Sequence, residues 1–233
     1  TAVSALSTLN FRGVNVTVPH KQAIMPLLDE IDPAAAAIGA VNTVIVGENG
    51  HLLGKNSDWL GFMADLATLN VDVRGRDCVI FGAGGSSRGV AYGLAQAGAM
   101  VHIVARRPAQ AEELVAAMGL PRTAIAPATM DDVHTFTAPL LVNSTPLGMH
   151  PHEDGSIWDT KQGLSKRPFA PNTFVYDLVY NPVETLFMRQ ARAAGCQAAN
   201  GLGMLLRQGA FSFEWWTGIT PDLAVMQTAF ENR

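Results

Sequence analysis

The run Asp77-Cys-Val-Ile-Phe81 stops at Gly82-Ala-Gly-Gly-Ser-Ser-Arg-Gly89, and apolar Val90, Leu94 and Ala97 then follow at helical spacing as far as Gly98. A buried strand, a glycine turn and a helix in that order constrain the fold more than any other feature of the chain. They open a βαβ unit, whose parallel strands require a crossover returning over the sheet. Met100–Val104 reads as the second strand, and Pro108–Met118 as a second helix with proline in its first turn. Leu140–Asn143 and Phe174–Val179 read as further buried strands, and Val183–Ala194 as a helix stopped by Gly195. Apolar strands alternating with helices predict an α/β fold, a doubly wound parallel sheet covered on both faces.

The two ends of the chain read differently. Phe11–Val18 looks like a strand ending at Pro19, Lys21–Ile31 like a helix, and Ala34–Ala37 like a helical turn. Val41–Val46 and His51–Gly54 flank Asn49-Gly50, a strong hairpin signal. From Gly201 onward two helices are expected, separated by Gly218 and Pro221. The expected division is a nucleotide-binding domain over residues 61–200 and a second, smaller α/β domain over 1–60 and 201–233.

Composition narrows the function classes. With 48% of 233 residues apolar and 15% charged, the chain is no disordered segment. Sixteen basic against twenty acidic residues, a net charge of −4, argues against a broad basic face for nucleic acid. No apolar run approaches the roughly 20 residues of a bilayer span. Cys78 and Cys196 lie far apart without metal-type spacing, and read as reduced, buried thiols of a cytoplasmic protein. The expected partner is a small molecule, with no metal, nucleic acid or membrane, on a monomer or homodimer.

Strand, glycine turn and helix are also the context of a Rossmann-type dinucleotide fingerprint. Gly82 permits the tight turn, Gly84 admits a pyrophosphate, and the N–H groups around Ser86 and Ser87 can bind that anion. The third fingerprint position holds Ser87 in place of glycine or alanine. No Gly-Lys-Ser/Thr closes the loop, so it is not a P-loop. After the second strand, where a carboxylate would select NAD, stands Ala105-Arg106-Arg107. Two guanidiniums suit the 2′-phosphate of NADP; the other reading is a solvated strand end.

Three polar residues of the N-terminal part stand out. Lys21 falls in the first turn of the expected helix, where the dipole repels an ammonium and favours the neutral amine of a proton-transfer group. Asp58 closes the hairpin just before a helix, as an N-cap does, and Asn42 could be a turn asparagine. Taken singly, each has an ordinary structural reading.

Their order along the chain is more specific. Asn15-Val-Thr-Val-Pro-His-Lys21, Gly39-Ala-Val-Asn-Thr43, Asn56-Ser-Asp58 and the glycine turn precede Asn143-Ser-Thr-Pro-Leu-Gly-Met149, Asp177-Leu-Val-Tyr-Asn-Pro182 and Gly203-Met-Leu-Leu-Arg-Gln208. Over essentially its whole length the chain resembles the shikimate dehydrogenase family, which reduces 3-dehydroshikimate to shikimate with NADPH on the way to aromatic amino acids. The resemblance implies that Lys21 and Asp58 are the catalytic pair. It implies that Thr17, Asn42, Asp58, Tyr180 and Gln208 face the substrate. For the cofactor it implies Gly82, Ala83, Gly84, Gly85, Ser86, Ser87, Ala105, Arg106, Arg107, Asn143, Ser144, Thr145, Gly201 and Met204. Ala105 and Arg107 replace the Asn and Thr of the family's Asn-Arg-Thr motif. The family's Ser-x-Ser motif for the substrate carboxylate has no match in Ser4-Ala-Leu-Ser7, so the chain reads as truncated at its N-terminus by several tens of residues. Rival readings are a quinate/shikimate dehydrogenase using NAD, and a ligand-sensing regulator of the same fold that has lost catalysis.

Overall fold

The computed structural model describes residues 2–137, 140–158 and 169–232. It opens with strands β1 (Gly13–Asn15) and β2 (Glu30–Ile31), helix α1 (Pro33–Ile38), strands β3 (Thr43–Val46) and β4 (Leu52–Lys55), and helix α2 (Asp58–Thr68). β3 and β4 pair antiparallel, and the turn between them holds Asn49 at φ 58° and Gly50 at φ 79°. Both residues tolerate the left-handed region, as the hairpin signal required. β1 joins β3 antiparallel and β2 joins β4 in parallel, giving the order β1-β3-β4-β2.

The expected helix over Lys21–Ile31 does not form. The segment is a turn followed by a single 3-10 turn at Met25–Leu27, and it ends as strand β2. Pro26 is the reason: it lacks the N–H for the Gln22 carbonyl and its ring crowds that oxygen. Met25 N–H bonds to Gln22 O one residue short of α-geometry, at 3.2 Å. The expected strand over Phe11–Val18 shrinks to Gly13–Asn15, with only Val16 N–H carrying the pairing on, to Asn42 O at 2.7 Å.

The rest of the chain follows the βα alternation. Strand β5 (Asp77–Phe81), helix α3 (Gly85–Gln96), strand β6 (Met100–Val104), helix α4 (Pro108–Met118), strands β7 (Ile125–Ala128), β8 (Leu140–Asn143) and β9 (Phe174–Asp177), helix α5 (Leu186–Ala193) and strand β10 (Gln197–Asn200) come in that order. All these strands pair in parallel, in the order β10-β9-β8-β5-β6-β7. This is the doubly wound order, with the switch point between β5 and β8. Right-handed crossovers then send α3 and α4 to one face and α5 to the other. Val79, Phe81, Leu141 and Val175 pack with Phe187 and Ala191 of α5, while the period of two turns Ile80 and Val142 the other way.

β7 and β10 were not expected from the sequence. Both are edge strands, and their sequences, Ile-Ala-Pro-Ala and Gln-Ala-Ala-Asn, lack the β-branched run of a central strand. Proline is tolerated only at such an edge. Helix α5 starts three residues later than expected because Thr185 caps it, accepting the Met188 N–H at 3.3 Å. Cys78 is buried, but Cys196 is only partly so, which corrects the expectation of two buried thiols.

Helices α6 (Leu202–Thr217) and α7 (Leu223–Glu231) complete the chain. The chain divides into two compact units, residues 1–65 with 203–233, and residues 66–202. Within the first, α6 is tied to the sheet by the Trp216 indole N–H, which donates to Val44 O at 3.0 Å. It is tied to α2 by an ion pair between Arg207 and buried Asp65 at 2.8 Å. No helix among the described residues is long and apolar enough to cross a membrane.

The α2–α6 approach depends on Gly61. A Cβ there would lie 2.7 Å from Gln208 N and 2.8 Å from Met204 O, both backbone atoms of α6. Gly61→Ala is therefore expected to destabilise the chain by about 1–3 kcal/mol, the usual overpacking range. Denaturant unfolding of the variant measures this, and unchanged stability would mean that α6 shifts freely on α2.

Candidate active site

In the first unit the residues singled out in the sequence converge on Asp58. Its Oδ2 accepts from Lys21 Nζ at 2.6 Å and its Oδ1 from Asn42 Nδ2 at 2.8 Å. All three residues are buried, Lys21 9% and Asp58 5% exposed. The carboxylate is thus not an N-cap, and Lys21 owes its place to a counter-charge and not to a helix dipole, since no helix begins there. A buried ammonium needs such a partner, and removing either member of the pair leaves an uncompensated charge. The backbone holds the pair together: Val41 N–H donates to Lys21 O at 2.8 Å, and Asn42 N–H to Lys55 O at 3.1 Å.

Asn42 has one orientation. The Ser57 backbone N–H can only donate, and it reaches Asn42 Oδ1 at 2.7 Å, which turns Nδ2 toward Asp58. Behind it lie Thr43, Ser57 and Ser212, each fully buried, with Thr43 Oγ1 and Ser212 Oγ 2.8 Å apart. Gln208 reaches the cluster from α6, its Oε1 3.3 Å from Asn42 Nδ2 and 3.2 Å from Ser57 Oγ. Thr17 lies apart, exposed in the turn after β1, with its carbonyl accepting the His20 N–H. Ser57 and Ser212 were missed by sequence reasoning, because nothing in their local sequence shows that residues 155 apart in number meet.

In the second unit the glycine turn lies at the switch point. Gly82 takes φ 112°, closed to other residues, and a Cβ there would stand 2.6 Å from Ser144 Oγ. At Gly84 a Cβ would meet nothing within 4 Å, so the protein's own packing does not demand that glycine. The open space over Gly84 leaves room for a ligand at the backbone, and first-turn N–H groups like those of Gly85, Ser86 and Ser87 are donors of the kind that bind a pyrophosphate. The donor set fits a dinucleotide. Ser87 has its own use: its Oγ accepts the Gly84 N–H at 3.0 Å and meets Ser144 Oγ at 2.7 Å, which in turn donates to Phe81 O. The hydroxyl departing from the fingerprint thus ties the turn after β5 to the loop after β8. Ala105 is half-buried and Arg106 and Arg107 are exposed at the end of β6. Burial lowers the pKa of Arg88 in α3. Among the described residues no group of three or more His, Cys, Asp or Glu could hold a metal ion.

The loop after β8 is fixed by side chains. Asn143 Oδ1 accepts Thr145 N–H and Oγ1–H, and its Nδ2 donates to Leu147 O and to Asp177 Oδ1. Tyr180 is exposed three residues beyond Asp177, Gly201 is buried against the Leu178 carbonyl, and Met204 is buried on α6. Burial pushes the Asp177 carboxyl up to about 6, against hydrogen bonds from Thr185, Val179 and Asn143 that pull it down.

That shift has a direction in pH. Between about pH 4 and 6 the folded chain keeps a proton on Asp177 that the unfolded chain has released, so stability falls as pH rises through that window. Relative to Asp177→Asn, the wild type is expected to lose about 2–3 kcal/mol as pH rises from about 4 to 7, and almost nothing further above. Urea unfolding of both chains across that range reads the effect; a constant difference would show that Asp177 titrates alike in both states.

A doubly wound sheet with a glycine turn at its switch point is the architecture of a dinucleotide-binding α/β protein, here joined to a unit built around a buried lysine–carboxylate pair. Residues 1–44 match the model of the shikimate dehydrogenase substrate binding domain, and residues 201–229 that of the shikimate 5'-dehydrogenase C-terminal domain. The shikimate dehydrogenase (NADP(+)) of Moorella thermoacetica is 46% identical over 232 residues, covering 97% of this chain and 76% of that protein. Among solved structures, quinate dehydrogenase from Corynebacterium glutamicum in complex with NAD gives a TM-score of 0.89 at 32% identity, over 100% of this chain and 82% of that one. Shikimate 5-dehydrogenase from Thermus thermophilus, in complex with NADP(H) and shikimate, gives 0.86 at 35% identity, over 99% and 82%. The chain belongs to the shikimate dehydrogenase family.

Proposed function

We propose that Lys21 and Asp58 carry the chemistry of an NADP-dependent shikimate dehydrogenase and that residues 66–202 supply most of its cofactor site. The activity is the reversible reduction of 3-dehydroshikimate to shikimate, a CH–OH oxidoreductase step toward aromatic amino acids. The observation that carries the reading is the buried 2.6 Å pair of Lys21 and Asp58, braced on its second oxygen by Asn42. Bound NADPH supplies the reducing hydride. What the chain must add is a proton for the resulting alkoxide and a field that favours it. Lys21 donates the proton from Nζ as an ammonium, and Asp58 holds Nζ in place through a charge-assisted bond. Asn42, Gln208 and Thr17 offer hydroxyl ligands, which penalise an analogue lacking the matching groups. Gly82 to Ser87 would hold the pyrophosphate and Arg106 with Arg107 the 2′-phosphate, while Asn143 to Thr145, Gly201 and Met204 would serve the nicotinamide side. Tyr180 would face the substrate. The two free thiols fit a cytoplasmic setting.

Lys21→Ala is expected to lower kcat by about 10²–10⁴-fold, the range for a positioned proton-transfer group. Its NADPH affinity, followed by cofactor fluorescence, should stay within about twofold of wild type, because the glycine turn lies in the other unit. The comparison uses shikimate with NADP beside quinate with NAD. Near-normal kcat would return Lys21 to a structural counter-ion of Asp58. Both side chains are buried, so Asp58→Ala strands the Lys21 ammonium and should cost about 3–5 kcal/mol of stability.

Cofactor choice has a separate test. Replacing Arg106 and Arg107 by alanine should weaken NADP binding by about 1.5–3 kcal/mol per lost charge-assisted contact, and NAD binding far less. Equal losses for both cofactors in a fluorescence titration would refute the 2′-phosphate role.

A further inference from the structure

The segments assigned above to cofactor and substrate in residues 66–202 meet at a side chain to which no role has been given. Asp177 ends β9 fully buried. Its Oδ1 accepts from Asn143 Nδ2 at 2.9 Å and from Val179 N–H at 3.0 Å, and its Oδ2 accepts from Thr185 Oγ1 at 2.6 Å. Each donor belongs to a different piece of chain. Asn143 carries the loop through Thr145 and Leu147. Val179 belongs to the turn that presents Tyr180, and its carbonyl accepts the Gly201 N–H at 3.2 Å. Thr185 is the cap of α5. The backbone adds one more tie, Leu178 N–H to Asn143 O at 2.9 Å.

We propose that Asp177 is a positioning residue whose carboxylate sets the register of the Asn143–Leu147 loop against the Leu178–Tyr180 turn, and so the geometry in which cofactor and substrate are held. This rests on the NADP-linked reading above. All three groups aimed at the carboxylate are donors, and Thr185 Oγ1 already accepts the Met188 N–H, so only an acceptor at position 177 satisfies them together. Stability does not explain the residue. Burial raises its pKa, so at neutral pH the ionised form weakens the fold. A carboxylate kept at that cost is explained by the three segments it aligns.

The test uses the full chain with three readouts: NADPH dissociation by fluorescence titration, kcat and KM with shikimate and NADP, and Tm. Asp177→Asn keeps the volume but turns one acceptor into a donor. It is expected to raise the NADPH dissociation constant about tenfold or more and to lower kcat at least as far. Its Tm should stay within about 4 °C of wild type or rise. Thr185→Val, which removes one donor from the carboxylate, should move affinity and kcat in the same direction, and Thr185→Ser should restore both; this pair carries the test if Asp177→Asn does not fold. A folded Asp177→Asn chain with affinity and kcat within about twofold of wild type overturns the proposal. So does a fall in Tm that tracks the loss of activity in both Thr185 variants, the signature of a merely structural contact. Failure of the underlying reading looks different: the wild-type chain itself would then not oxidise shikimate with NADP.

Discussion

Taking a carboxylate out of water costs several kcal/mol unless donors or counter-charges replace the solvent, and this chain does so at Asp58, Asp65 and Asp177. Each site became a junction because the replacement groups come from elsewhere in the chain. Asp58 gathers Lys21 from the turn after β1 and Asn42 from the residue just before β3. Asp65 binds Arg207 and so fastens α6 to α2, close enough that a Cβ on Gly203 would overlap the Asp65 carboxylate. Asp177 draws in Asn143, Val179 and Thr185. Hydrophobic packing builds the two cores, and these polar junctions decide which side chains are presented where.

The two units solve different problems by different local means. In residues 66–202, backbone does most of the work: a glycine at φ 112°, another at a helix start with open space over it, and a row of first-turn N–H groups. Such a site tolerates little side-chain variation near the turn but accepts Ser87, whose hydroxyl has partners on both sides. In the other unit, side chains do the work. Ser57 N–H orients Asn42, Asn42 braces Asp58, and Asp58 holds Lys21. On the proposed reading, a preorganised string of this kind stabilises developing charge without reorganising during the reaction.

Local signals succeeded where one residue type dictates a backbone state. Asn49-Gly50 made its turn, Gly82 its tight corner, and Gly98 and Gly195 took left-handed angles after α3 and α5. Apolar runs were found where both faces of a strand are covered, as in β5, β6, β8 and β9, whose residues are nearly all buried. The edges β7 and β10 escaped notice because an edge strand is held by its neighbour's hydrogen bonds more than by its own side chains. The helix read over Lys21–Ile31 failed because apolar spacing was allowed to outweigh Pro26.

By itself the sequence determined the alternation of strand and helix, the nucleotide-type turn and the identity of Lys21, Asn42, Asp58 and Gln208 as residues of interest. The alternation, the turn and Lys21, Asn42 and Asp58 follow from short-range rules: side-chain period, glycine's freedom at positive φ, and position beside a turn or helix start. Gln208 entered only through the family resemblance that motif order carries. Only the tertiary structure decided that Lys21 and Asp58 form a buried pair, that Ser57 and Ser212 back Asn42, and that Asp177 joins three segments. Those contacts link residues from 2 to 155 positions apart, with Ser57 to Ser212 the widest. Burial and hydrogen-bond partnership exist only once the chain has folded, since each depends on what remote segments bring to the same place.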